Sequence, residues 1–127
     1  MVGDVLIYKD WKWKSGAVAD DGSLYCFPYN HNRILKFNAN DDTTIFVGEQ
    51  IEGEFNFSRT IKAKNGYLYG IPSDTGRVAK FNVVPQNLIF IGEDYECRLK
   101  WESGVEGMDD NIYGVPYGHD KWLKIDI

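Results

Sequence analysis

The side chains best suited to recognising a ligand fall into three short runs: Tyr29-Asn30-His31-Asn32-Arg33, Ser73-Asp74-Thr75-Gly76-Arg77 and Tyr117-Gly118-His119-Asp120-Lys121. Asn30, His31, Arg33, Asp74, Arg77, Tyr117, His119 and Lys121 supply polar and charged groups that would fix a ligand's orientation. Trp13 and Trp101 add apolar ring faces. Rings beside Asn, Asp, His and Arg suit a sugar or a peptide, so these ten residues form the candidate binding face. The basic residues Arg33, Arg77 and Lys121 could ring an anion, or pair with acids such as Asp74 and Asp120, which adds little stability at a solvated surface. As exposed loop residues, His31, Arg33, Arg77, His119 and Lys121 should be replaceable at little cost to stability.

Catalytic and metal chemistry find less support. The two histidines lie in different runs and Thr75 stands at the matching place in the middle one, so a three-histidine metal site is not available. No Ser-His-Asp arrangement, nucleophile elbow or phosphate loop is present. Asp20-Asp21 and Asp109-Asp110 are adjacent acids that turn propensity explains. The expectation is a protein without cofactor or metal and without enzymatic activity.

The three runs recur because the chain repeats. Gly22-Ser23-Leu24-Tyr25-Cys26-Phe27-Pro28 aligns with Gly66-Tyr67-Leu68-Tyr69-Gly70-Ile71-Pro72 and with Asp110-Asn111-Ile112-Tyr113-Gly114-Val115-Pro116, each step being 44 residues. Trp13, Phe57 and Trp101 correspond, as do Arg33, Arg77 and Lys121, and Phe37, Phe81 and Ile125. The aromatic and proline series then suit inter-unit packing and strand termination as well as they suit a ligand. The repeats run over about 10–53, 54–97 and 98–127, the last completed by 1–9, and 127 residues make one domain.

Within one copy, Gly16 to Ala19, Leu24 to Phe27, Ile34 to Phe37 and Thr43 to Val47 are β-favouring runs separated by turn-formers. Asp21-Gly22 and Asn65-Gly66 signal two-residue hairpins, because Asn, Asp and Gly tolerate positive φ. Asn38 to Asp42 and Asn82 to Asn87 read as longer polar loops. The near-continuous run Leu88-Ile89-Phe90-Ile91 suits a strand covered on both faces. Placing Asp4-Val5-Leu6-Ile7-Tyr8 opposite Thr43 to Val47 would let the N-terminus supply the fourth strand of the third copy.

The sequence of Trp-x-x-Gly, Gly-x-Leu-Tyr-x-x-Pro, basic-x-x-Lys-Phe-Asn and Phe-x-Gly-Glu resembles the β-propeller-type repeats found in tandem in many eukaryotic microbial proteins, loosely kin to kelch-like blades. The resemblance implies an all-β fold of three four-stranded blades. Because propellers close with about four to eight blades, it implies half of a six-bladed ring, completed by a second copy of the chain. The alternative is a β-trefoil, which also has three four-stranded lobes but whose Gln-x-Trp signature is absent. Propellers host enzymes and binding proteins alike.

Composition narrows the partners. A net charge of −5 disfavours nucleic acid. No apolar run approaches the roughly 20 residues a membrane helix needs, and no export signal is visible, so a soluble protein is expected, cytoplasmic or of unknown location. Cys26 and Cys97 hold non-equivalent repeat positions and are expected as unpaired thiols. The leading function is a non-enzymatic binding or assembly module using the loop face for a ligand or protein partner. A multivalent, lectin-like carbohydrate-binding protein and a hydrolase-like propeller with a shared central channel are the alternatives.

Overall fold

The turns are where local chemistry most visibly dictates structure. Ala19 donates its amide to Ser23 (3.0 Å), and Gly22 donates to Ala19 (3.0 Å). This closes a three-residue loop whose last residue, Gly22, has φ +82. The same pair of bonds closes Ala63 to Tyr67, with Gly66 at φ +85, and Gly107 to Asn111, with Asp110 at φ +67. The loop is one residue longer than the two-residue turn expected, because a type I turn needs a further left-handed residue to restore the strand twist. Asp21, Asn65 and Asp109 each accept the amide two residues on, and each is hydrogen-bonded to the tyrosine four residues on. Each turn is thereby tied to the strand that follows it.

The computed structural model describes residues 1–3, 6, 12–50, 55–96 and 98–127, the side chain of Phe55 excepted. The described elements are all strands: β1 (Ala17–Val18), β2 (Leu24–Cys26), β3 (Tyr29–His31), β4 (Ile34–Asn38), β5 (Thr43–Val47), β6 (Phe55–Lys62), β7 (Leu68–Pro72), β8 (Val78–Asn82), β9 (Asn87–Ile91), β10 (Trp101–Glu106), β11 (Ile112–Pro116) and β12 (Leu123–Ile125). They form antiparallel sheets in the orders β1-β2-β4-β5, β3-β6-β7-β8-β9 and β10-β11-β12. Each sheet is one repeat. The short strand β3 leaves the first blade to pair with the innermost strand of the second, Tyr29 opposite Asn56.

Two apolar cores lie between the blades. The first holds Ala19, Tyr25, Phe27, Ile34 and Val47 from one blade, and Phe57, Leu68, Ala79 and Phe81 from the next. The second holds Ala63, Tyr69, Ile71 and Val78 against Trp101, Ile112, Leu123 and Ile125. Apart from Val47, whose counterpart Ile91 packs at the second core's margin, the second core is the first shifted by 44 residues. Burial on both faces explains why Leu68–Pro72 is buried throughout, where a one-sided sheet would alternate. Polar bonds join neighbouring blades: Phe27 N donates to Thr60 Oγ1 (2.9 Å), Thr60 N to Ser15 Oγ (2.6 Å), and Ser58 Oγ to the Trp101 carbonyl (2.6 Å).

At the N-terminus, Gly3 has φ +86, and a Cβ there would lie 3.4 Å from Phe37 and 3.7 Å from the Asp42 carbonyl. Gly48, φ +73, stands against Phe81 and the Gln86 carbonyl in the same way. Gly3 therefore occupies on the first blade the place Gly48 occupies on the second, which aligns Val2-Gly3 with Val47-Gly48. The strand expected over Asp4–Tyr8 lies outside the described residues, Leu6 excepted. Cys26 is a free, half-buried thiol whose pKa burial pushes up; Cys97 lies outside the described residues. Among the described residues no helix is long and apolar enough to cross a membrane.

The Asp21 turn sets a pH dependence. Burial works against the Asp21 carboxylate, but hydrogen bonds from Tyr25 and the Ser23 amide, with the charge of Lys36, hold its pKa below the ordinary value. Its contribution is therefore full above about pH 4 and lost as pH falls through the depressed folded-state value. Tyr25→Phe is expected to cost about 1 kcal/mol at pH 7. Urea denaturation from pH 7 to 3 should show that loss shrinking as Asp21 protonates.

Candidate axial binding site

The first strand of each blade lies innermost, and the three first strands line an open groove of about 380 Å³. Gly16 and Ala17 come from the first blade, Arg59 to Lys62 from the second, and Gly104 to Glu106 from the third. At one end of these strands, repeat-equivalent positions carry Lys14, Ser58 and Glu102, and the ends of the second strands carry Tyr29, Ser73 and Tyr117.

These positions converge on one carboxylate. Lys14 Nζ of the first blade lies 2.7 Å from Glu102 Oε2 of the third, and Ser73 Oγ of the second donates to Glu102 Oε1. Glu102 thus holds one partner from each of the other two blades. Lys14 also sits 5.1 Å from the centre of the Tyr29 ring. The hydrogen bond to Glu102 raises the Lys14 pKa above the ordinary lysine value; burial opposes this, while the charges of Glu102, Tyr29 and Tyr117 add to it. The lysine is 44% exposed and Tyr117 70%, so both face solvent. Ser73 is fully buried and Ser58 nearly so, with its hydroxyl committed to the Trp101 carbonyl.

The residues expected to form the binding face divide. Tyr117 joins this cluster. Asp74 lies on the same side, but its carboxylate accepts the Leu99 amide (2.7 Å) and stands 4.0 Å from Arg98, so it ties the second blade to the entry of the third. Asn30, at φ +91, forms the bulge of β3.

His31 is a correction. It lies on a strand, is 9% exposed, stacks on Phe46 at 5.4 Å and tilts against Trp13 at 4.9 Å, while its Nδ1 accepts the Arg33 amide. The third blade repeats the motif with more solvent: His119 lies 4.9 Å from Trp101 and its Nδ1 accepts the Lys121 amide. The indoles of Trp13 and Trp101 donate to the carbonyls of Arg33 and Lys121, and Trp101 is buried in the second core. The middle blade has Phe57, whose ring has no N–H to donate, and Thr75, whose hydroxyl instead accepts the Asn56 amide. Among the described residues Arg33 and Arg77 do not pair with acids as expected; each guanidinium donates to the carbonyl that ends its blade's fourth strand, Gly48 (3.2 Å) and Gly92 (3.0 Å). Lys121 is exposed.

Lys14, Tyr29, Ser73 and Glu102 were not among the expected site residues. One signal could have found two of them: Lys14, Ser58 and Glu102 mark a repeat position that abandons any shared chemistry while its neighbours keep theirs.

Stacked antiparallel sheets whose first strands share a groove are the β-propeller architecture, and comparison with solved structures gives the same fold. A catalytically inactive histidine-to-alanine variant of virginiamycin B lyase from Staphylococcus aureus, with quinupristin, superposes with TM-score 0.71 at 13% identity over 95% of this chain and 40% of that one. The selenomethionine-substituted form of that lyase gives 0.69 at 11% identity over the same shares. A candidate 6-phosphogluconolactonase from Bacteroides uniformis gives 0.50 at 16% identity, over 88% of this chain and 39% of that one. The chain spans about two-fifths of the length of the propellers it matches. No family model and no curated protein sequence matches it.

The buried histidine motif separates structural from surface roles. His31→Ala is expected to cost about 2 kcal/mol, because it leaves a void between Trp13 and Phe46 and orphans the Arg33 amide. His119→Ala should cost less than about 1 kcal/mol at its wetter site. Equilibrium urea denaturation of the two variants checks the order.

Proposed function

We propose that the chain is a propeller-type binding module that takes a hydroxyl-rich ligand, such as a glycan end group, at the axial mouth marked by Lys14, Tyr29, Glu102 and Tyr117. The observation that carries this reading is the Lys14–Glu102 bond, which brings a half-exposed cation from one blade against a partly buried anion from another. Tyr29 and Tyr117 lie close enough to act on the lysine's charge. A ring face beside one donor and one acceptor matches the alternating apolar and hydroxyl faces of a sugar. The neighbouring folds are enzymes, a lyase and a candidate lactonase. Here, however, the hydroxyl paired with the carboxylate, Ser73, has no exposed surface from which to attack a substrate. Binding is therefore the better-supported use of the cluster.

A glycan array followed by calorimetry tests the proposal. Lys14→Ala, Glu102→Gln and Tyr117→Ala should each weaken the best ligand at least tenfold while shifting the melting temperature by only a few degrees. Val84→Ser, on a distant exposed turn, should leave affinity unchanged. Equal affinity in all four variants would remove the axial mouth as the site. Closure of the ring by a second copy, giving six blades, is the companion reading: light scattering should report a dimer at micromolar concentration, and a monomer there overturns it.

A further inference from the structure

The first two blades have a fourth strand and the third, among the described residues, does not. β4 pairs with β5, with Ile34 opposite Val47 through Asn38 opposite Thr43, and β8 pairs with β9 in the same register. Among the described residues β12 pairs with β11 alone. Among those residues nothing pairs with its outer edge, and an edge of that kind acts as a template for another strand.

Three features of the two complete blades say what that strand would be. Its second and fourth residues point inward: Leu88 and Phe90 of β9 pack against the first core, while the alternate residues Ile45 and Ile89 are exposed. At the equivalent seat beside β12 there is a hollow of about 180 Å³, lined by Val78, Ile91, Tyr95, Leu123 and Ile125 among others. The strand then ends in a glycine with φ +73 or +75, followed by Glu49 or Glu93. Finally, a basic side chain holds that glycine's carbonyl, Arg33 on Gly48 and Arg77 on Gly92, and the third blade presents Lys121 at this position. Gly3, seated on the first blade as Gly48 is on the second, follows an apolar residue and precedes an acid, the same ending a third time.

We propose that the β12 edge is a strand-acceptor site. Its occupant is an extended polypeptide segment with the chemistry of Asn87-Leu88-Ile89-Phe90-Ile91-Gly92-Glu93, which adds antiparallel to Leu123–Ile125. The backbone ladder supplies affinity. The hollow selects apolar side chains at the second and fourth positions, and Lys121 fixes the register by holding the glycine carbonyl.

The test uses the whole chain and a labelled synthetic peptide copying residues 87–93. Fluorescence anisotropy should show saturable binding, lost when the peptide carries Leu88→Asp and Phe90→Asp and weakened severalfold by Lys121→Ala in the protein. Because the aspartates are in the peptide, loss of binding cannot come from misfolding of the protein. In a second arm, the chain is extended after Ile127 by a copy of residues 84–93, which should raise the melting temperature by about 4 °C or more. Retained binding of the aspartate peptide, or no binding at millimolar peptide together with no stabilisation of the extended chain, would overturn the proposal.

Discussion

A sheet with apolar side chains on both faces cannot stand alone in water, and this constraint organises the molecule. Leu68–Pro72 is buried throughout because the second blade is flanked on both sides. The first core and the second are built from the same repeat positions. The inner-strand hydrogen bonds and the axial groove follow from stacking one pattern beside the next. The groove exists because blades that pack face to face must bring their first strands together.

Stacking also decides which polar residues are available to a ligand. The residues at the rim of each blade meet their counterparts from the others, so a site there is assembled from side chains distant in sequence, such as Lys14 and Glu102. Ser73, Ser58 and Asp74 are spent on holding blades together. Lys14 and the tyrosines retain exposed surface. The same division holds around the tryptophans, where the histidine belongs to the support of the strand.

Much of the architecture was legible because backbone preference and burial are written locally. The strands at Leu24, Ile34 and Thr43 start where the sequence placed them. The turns were located correctly but judged one residue short, since Asp-Gly and Asn-Gly suit both loop lengths and only the ladder register separates them. The site was less legible for a different reason. His31 looked like a loop residue because it falls between the β-favouring runs Leu24 to Phe27 and Ile34 to Phe37, yet the bulge at Asn30 turns the segment into a strand against the next blade. Arg33 and Arg77 were expected to seek acids; their partners are backbone carbonyls, which a sequence cannot display. The Lys14–Glu102 pair joins residues 88 apart and needs the blade angle before it can be seen.

Among the described residues nearly all of the strand pairing is within a blade, with β3 the one strand that crosses from its own blade to the next sheet. Apart from the Lys14–Glu102 bond, which joins the first blade to the third at the rim, the described parts of the three blades meet through the two apolar cores, and they differ in how many faces those cores cover. The middle blade, sheltered on both sides and stitched to the first by β3, is the unit whose amides should open to solvent last. Opening should spread inward from the first and third blades, so slow hydrogen exchange concentrated in β7 and β8 is the dynamic signature of a stack two interfaces deep.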